Sequence, residues 1–212
     1  LEGTNINWET FGEFAAVMSE RRFGANVASF VGYSTLRRGL LGDSTEGLSN
    51  DELRALKQSL HNAIDQGAFG LSTGLAYAHE VGISELELYE LAEVLKHTNT
   101  SLSLHLRNEE EGVVESVREA ISIAQRAEIP IKISHLKVRG QKNWPLVHEV
   151  LAELDNAWHK GVAVHYDVYP YTSIWQVLYS YLPKWAIEGG RHAVLEHLNN
   201  PVQRNKILSY LN

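Results

Sequence analysis

Two histidines each stand near the end of a short apolar run. His105 lies in SLSLHLRNEE and His135 in IKISHLKVRG, and in both stretches the imidazole is followed by a leucine and a basic residue. About 30 residues separate them, the length of one strand–helix–strand unit. Neutral imidazoles are common ligands of zinc and similar divalent ions. The repeated pattern therefore predicts a two-histidine metal site. For either histidine taken alone, a hydrogen-bonded residue near a strand end is the alternative.

The elements that would position these histidines alternate regularly along the chain. Four segments have leucine, isoleucine or valine at helical spacing, and two of these open on the capping-box pairs Ser49/Glu52 and Ser84/Glu87. Five β-tolerant runs alternate with them: ANVASFVGYS, GAFGLSTG, SLSLHLR, IKISHLK and VAVHYDVYP. This order predicts an α/β fold, a parallel sheet with crossover helices.

Strand alternation assigns a face to each histidine. His105 shares a face with the two serines that precede it, while the intervening leucines would face the covering helices. The same alternation groups His135 and Lys137 with Ile131 and Ile133. If the two strands are neighbours in a barrel, both histidines converge at its carboxyl-terminal mouth, where α/β barrels keep their active sites.

A catalytic zinc site normally has three protein ligands, so a further ligand is needed. His165 in VAVHYDVYP is a candidate, but a histidine hydrogen-bonded to Asp167 explains it better. Glu109, Glu110 and Glu111 could form a catalytic carboxylate cluster. For at least two of them the better explanation is that their negative charge stabilises the positive N-terminal end of the next helix.

Composition limits the classes of function. The 212 residues are 44% hydrophobic, enough for one domain or a large part of one. The formal charge is −7 with both signs interspersed, so neither a nucleic-acid partner nor an anionic membrane surface is expected. No apolar run is long enough to span a membrane. The absence of cysteine excludes disulfides within the segment and favours a cytoplasmic location.

Six blocks of sequence resemble a known family. They are NVASFVGYSTLRRGLLG, GAFGLSTGLAYAHE, SLSLHLRNEE, ISHLKVRGQKNW, DVYPYT and LPKWAIEGG. Their order and approximate spacing, from about Trp8 to Gly190, are similar to those of the N-acyl-D-amino-acid deacylases (D-aminoacylases) of the amidohydrolase superfamily. The resemblance implies a metal-dependent (β/α)₈ TIM barrel that hydrolyses the amide bond of a small-molecule substrate, an N-acyl-D-amino acid. The products would be a carboxylic acid and a D-amino acid, and zinc would be the usual ion.

The resemblance also implies roles for individual residues. His105 and His135 match the metal-binding histidines of the fifth and sixth barrel strands, and Tyr77 and Lys137 match residues that bind the substrate carboxylate. A phenol and a compact cation suit that task chemically. A rim aromatic and a solvated charge are the alternatives for Tyr77 and Lys137. Glu109 matches a common family position without an assigned task.

Several parts of the family's machinery have no match here. The His-x-His pair of the first strand, a metal-binding cysteine and the general-base aspartate of the eighth strand are missing from the sequence. We therefore expect an internal piece of a larger enzyme. Residues 1–171 would form a partial barrel of about strands three to seven, and 172–212 a helical extension or insertion of the same domain. Such a piece should be inactive alone. It should also self-associate through two unpaired sheet edges and an exposed apolar interior.

Departures from the family pattern bear on the substrate pocket. Tyr33 stands where the family usually has histidine, and Ile174 and Trp175 replace a stretch of small residues. They predict a smaller or differently shaped side-chain subsite.

Two other functions remain open on the sequence. A cyclic-amide hydrolase of the hydantoinase or dihydroorotase type usually has a carboxylated lysine on the fourth strand, and GAFGLSTG offers none. A non-catalytic α/β interaction module would be favoured if the parent gene also lacked the missing metal ligands.

Overall fold

A five-stranded parallel sheet forms the centre of the molecule. The computed structural model describes residues 8–21, 23–42, 44–77, 79–187 and 189–211. Each strand pairs with the next one along the chain, so the sheet order is β1-β2-β3-β4-β5. A sheet that never reverses its order is an arc of a barrel, unlike a doubly wound sheet. The predicted partial barrel is confirmed. The strands are β1 Val31–Gly32, β2 Gly70–Gly74, β3 Ser101–His105, β4 Ile131–Ile133 and β5 Val164–Tyr166.

Helices precede, connect and follow the strands. α1 is Phe11–Ser19, and the connecting helices are α2 Tyr33–Leu41, α3 Asn50–Asp65, α4 Glu85–Leu95, α5 Val113–Ala127 and α6 Val147–His159. A 3₁₀ turn, Gln141–Leu146, leads into α6. After β5 come a second 3₁₀ turn, Leu178–Tyr181, and the helices α7 Lys184–Ile187, α8 Gly190–Asn199 and α9 Pro201–Leu211. None of the helices in the described ranges has the length and apolar character to cross a membrane.

The two predicted capping boxes differ in outcome. At α3, Ser49 accepts a hydrogen bond from the Glu52 backbone N–H while the Glu52 carboxylate accepts from the Ser49 N–H, which completes the box. At α4, Ser84 accepts from the Glu87 N–H, but the Glu87 carboxylate accepts from the Tyr33 hydroxyl at 2.5 Å. One of these boxes is therefore replaced by a tertiary contact.

The first predicted strand is much shorter than expected. ANVASFVGYS was expected to form it, but β1 has two residues and α2 begins at Tyr33. The Tyr33 side chain is buried, with its hydroxyl bonded to Glu87 and Arg37. Tertiary packing of this helix overrides the β-propensity of the aromatic residue.

Strand register defines two faces of the sheet. Leu71, Leu102, Ile131 and Val164 are aligned across four strands and pack with the helices in the main core. The alternate row of partners lies on the other face: Ser72, Ser103, Lys132 and His165. The expectation of an apolar barrel interior is therefore wrong, because polar side chains occupy this row.

The C-terminal helices bury few side chains. Ala186 and Ile207 are buried, and neither belongs to the main core cluster of the described residues. The Trp185 ring lies 5.4 Å from the His197 ring, centroid to centroid.

Candidate metal and substrate site

The structure brings the two predicted histidines together. His105 is the last residue of β3, and His135 lies two residues beyond the end of β4. His105 Nδ1 and His135 Nε2 are 3.0 Å apart, with the rings nearly perpendicular at 71°. The pair therefore lies at the carboxyl-terminal end of the sheet, as the sequence predicts.

The backbone conformation that turns His135 toward His105 differs from the prediction. Register places Ile131 and Ile133 on the helix-covered face with the leucines of β3, so continued alternation would also turn His135 away from His105. The strand instead ends at Ile133, and His135 has a positive φ of 44°. This left-handed conformation is uncommon for a residue other than glycine. The predicted grouping of His135 with the two isoleucines is therefore wrong.

Asp167 holds this left-handed turn from the next strand connection. Its carboxylate accepts a hydrogen bond from the His135 backbone N–H, and its backbone carbonyl accepts one from the Leu136 N–H at 2.8 Å. Lys132 Nζ lies 2.5 Å from the same carboxylate. The hydrogen bond from Lys132 lowers the pKa of Asp167, and the bond from His135 acts in the same direction against partial burial. Asp167 therefore stays ionised and fixes the turn.

The charge state of His105 and the spacing of the two rings are compatible with a metal ion. Burial lowers the pKa of His105 to about 4, although the nearby Glu109 charge opposes the shift, so its imidazole is neutral at pH 7. Zinc binds imidazole nitrogen at about 2.0–2.1 Å, which puts two ligands of a tetrahedral ion roughly 3.3 Å apart. The facing nitrogens, at 3.0 Å, fit such an ion with a small outward movement.

Glu109 is the site residue that sequence reasoning missed. It is 6% exposed, and its Oε1 lies 3.3 Å from His135 Nδ1 and 3.9 Å from His105 Nδ1. Burial alone would raise the pKa of Glu109, but hydrogen bonds from His135 and Lys137 lower it below its usual value. The carboxylate is therefore ionised, and its oxygen and the two imidazoles form a group that could hold a metal.

The expected helix-end role does not apply to Glu109 or Glu110. α5 begins after Gly112, the acidic residue of its first turn is Glu115, and Glu110 pairs with Arg139 at 3.4 Å. The loop from 106 to 112 instead places the Glu109 carboxylate within 4 Å of both histidines. The match of Glu109 to a common family position was the one sequence feature that pointed to a role for it in the site.

Lys137 and Tyr77 also reach the histidine pair. Lys137 Nζ lies 2.6 Å from Glu109 Oε1, 3.0 Å from His135 Nδ1 and 3.0 Å from the His135 carbonyl oxygen, so it is not simply a solvated charge. The Tyr77 ring stacks on His105 with centroids 4.9 Å apart. Burial, with the charge of Glu109, raises the pKa of Tyr77, so the phenol keeps its proton at neutral pH.

A cavity of about 570 Å³ opens over these groups. Its walls combine the site residues with the chain that follows β5, and Ile174 and Trp175 are among them. Tyr33 does not line this cavity, so its expected effect on the pocket is wrong. A slightly larger cavity of about 610 Å³ lies beside β1 and contains none of the predicted site residues. The lining of the site cavity is Tyr77, His105, Glu109, His135, Lys137, Tyr169, Tyr171, Ser173, Ile174, Trp175 and Gln176.

His165 does not join the cluster. Its ring is exposed and lies 6.4 Å from the Trp158 ring, centroid to centroid. The expected hydrogen bond to Asp167 is replaced by the bonds of that carboxylate to Lys132 and the His135 backbone.

Comparison with known proteins relates this chain to a group of deacylases. No protein-family model matches the sequence. The chain is 35% identical over 158 residues to an N-acyl-D-glutamate deacylase of Alcaligenes xylosoxydans xylosoxydans, covering 74% of this chain and 32% of the relative. It is 29% identical over 172 residues to a D-aminoacylase of the same organism, covering 81% of this chain and 35% of the relative. The chain thus spans about a third of the length of the curated relatives it matches.

A solved structure shares the fold. The N-acyl-D-glutamate deacylase of Bordetella bronchiseptica, crystallised with zinc and a phosphonate that mimics the tetrahedral intermediate, superposes with a TM-score of 0.76 at 32% identity. The match covers 80% of this chain and 36% of that one.

Proposed function

The chain is homologous over about three quarters of its length to D-aminoacylases and N-acyl-D-amino-acid deacylases, and we propose that it forms part of the barrel of a metal-dependent amidohydrolase. The reaction is hydrolysis of the amide bond of an N-acyl-D-amino acid, giving a carboxylic acid and a D-amino acid. The main support is the facing pair His105 and His135, 3.0 Å apart in one cavity with Lys137 and Tyr77.

His105 and His135 would hold the divalent metal, zinc in our proposal. A bound ion of this kind lowers the pKa of its water and polarises the scissile carbonyl. Both imidazoles must present a lone pair to it, and the lowered pKa of His105 keeps one available at neutral pH. The remaining ligands and the general-base aspartate would come from barrel strands outside this segment.

Lys137 and Tyr77 would bind the α-carboxylate of the substrate. The ammonium is kept at the cavity by Glu109 and the His135 carbonyl, and the protonated phenol can donate a hydrogen bond. Ile174 and Trp175 would enclose the D-side chain, giving the smaller or differently shaped subsite that the sequence predicts.

We propose further that residues 1–171 and 172–212 belong to one domain. The site cavity supports this, because residues 173–176 line it together with His105 of β3 and with residues of the loops that follow β2, β3 and β4. A cytoplasmic location stays a prediction from the absence of cysteine.

Metal analysis combined with a hydrolysis assay tests the function. The intact protein should bind zinc and hydrolyse N-acetyl-D-amino acids in preference to their L-enantiomers. His105→Ala and His135→Ala should each lose metal and activity, whereas the control His61→Ala, on the exposed side of α3, should keep both. Equal metal content in all four proteins, or equal rates on the two enantiomers, would argue against the proposal.

A further inference from the structure

The two ring nitrogens of His135 have different neighbours. Nε2 faces His105 across the proposed metal position at 3.0 Å. Nδ1 has Glu109 Oε1 at 3.3 Å and Lys137 Nζ at 3.0 Å. A carboxylate oxygen and an ammonium therefore lie beside the same nitrogen.

Metal binding decides which of these neighbours can pair with the ring. A metal at Nε2 needs the lone pair of that nitrogen, so a neutral His135 carries its hydrogen on Nδ1. Nδ1–H can only donate, and Glu109 can accept whereas the Lys137 ammonium cannot. We infer that Glu109 is a positioning residue that fixes the tautomer of His135 and orients Lys137 toward substrate. This inference rests on the proposed function.

Glu109 Oε1 also determines where the N–H groups of Lys137 point. An ammonium has three donors, and Lys137 directs them to Glu109 Oε1, the His135 carbonyl oxygen and His135 Nδ1. When Nδ1 carries a hydrogen, the third of these contacts is lost and that donor becomes available in the cavity. Glu109 and the carbonyl oxygen still hold the amine in place. Metal binding at His135 thus prepares a donor for the substrate carboxylate.

Direct metal ligation by Glu109 is the competing role. Oε1 lies closer to His135 Nδ1 than to His105 Nδ1, 3.3 against 3.9 Å, and it already contacts the Lys137 ammonium at 2.6 Å. An oxygen that accepts from an ammonium and an imidazole N–H is a poor site for a further cation. The geometry therefore favours the positioning role.

Glu109→Gln in the intact protein separates these roles, with Glu110→Gln as the matched control. We expect Glu109→Gln to weaken Zn²⁺ binding about 10- to 100-fold, measured by competition with a chelator, as for other partners of metal-bound histidines. KM for an N-acetyl-D-amino acid should rise about tenfold through loss of the charge-assisted contact to Lys137. The visible spectrum of the Co²⁺-saturated protein should keep the wild-type band positions.

Glu109→Asp provides a second test of the inference if Glu109→Gln folds poorly. It keeps the charge and should recover part of the metal affinity lost in Glu109→Gln. Metal affinity and KM equal to those of Glu110→Gln would overturn the inference while leaving the proposed function intact. A changed Co²⁺ spectrum at saturation would overturn it in favour of direct ligation. A wild-type protein that binds no metal would overturn the proposed function and the inference together.

Discussion

Tyr33 joins two helices through a buried polar contact. It is 1% exposed, its hydroxyl donates to Glu87 of α4 at 2.5 Å, and it accepts from Arg37 of α2 at 3.1 Å. Burial, reinforced by the adjacent Glu87 carboxylate, raises the pKa of Tyr33 well above its ordinary value. The hydroxyl thus keeps its proton and can donate it to the Glu87 carboxyl group.

Tyr33→Phe should lower the free energy of unfolding by about 1–3 kcal/mol, because it leaves a buried carboxylate without its donor. Urea unfolding measures the change. Tyr210→Phe on α9, where the tyrosine is 64% exposed, is the control and should have little effect. Equal stability of the two variants would show that the hydroxyl contributes nothing.

Trp175 should control which side chains the cavity accepts. It lines the site cavity although the residue is 88% exposed. Trp175→Ala should raise kcat/KM for bulky N-acetyl-D-amino acids, relative to N-acetyl-D-alanine, by about tenfold, the scale of small changes in apolar pockets. Trp158→Ala, on α6 and away from the cavity lining, is the control. An unchanged preference in Trp175→Ala would remove Trp175 from the subsite.

At the scale of elements, the close pairing of β2 and β3 depends on Gly70. Gly70 has a φ of +143°, and a Cβ there would lie 1.9 Å from the Ser101 carbonyl oxygen. These strands lead into the turn that carries Tyr77 and into His105. A side chain at this position would therefore separate the two strands that position the Tyr77–His105 stack.

Gly70→Ala should destabilise the protein by about 1–3 kcal/mol from backbone strain alone, with the steric contact adding to this. Gly39→Ala in α2 meets nothing within 4 Å and should be neutral or stabilising by about 0.5–1 kcal/mol. Thermal unfolding of both variants is the measurement. A Gly70→Ala protein as stable as wild type would show that the strands can separate freely.

The elements also explain how far the sequence could predict the site. Hydrophobic spacing and the Ser49 cap are local signals, so the alternating strands and helices were predictable. The left-handed turn at His135 was not, because it depends on Asp167 from the following strand connection. The task of Glu109 could not be assigned from the sequence, since a run of acids before a helix is usually a helix-end feature and only tertiary contacts distinguish this carboxylate.

At the scale of the whole molecule, each outer strand has one side that no strand within the described residues pairs with. Among the described residues β1 pairs with β2 and β5 pairs with β4, and the cavity beside β1 is lined by aromatic residues that include Phe11, Phe14 and Phe30. Open strand edges next to apolar surface favour pairing with another chain.

The isolated 212-residue chain should therefore self-associate as its concentration rises, as followed by sedimentation velocity. Val168→Lys places a charge just beyond β5, where the side chain is already exposed, and should reduce the association. A single monomeric species at every concentration would count against self-association.

The isolated 212-residue chain should also be inactive in the hydrolysis assay.

The bond between Asp167 and the turn at His135 has a consequence for biosynthesis. A ribosome makes His105 first, His135 next and Asp167 later still. A nascent chain that has not yet emerged through Asp167 can contain both imidazoles without the clamp that turns them toward each other. The two imidazoles are therefore held facing each other only after Asp167 has been made and β5 has joined β4.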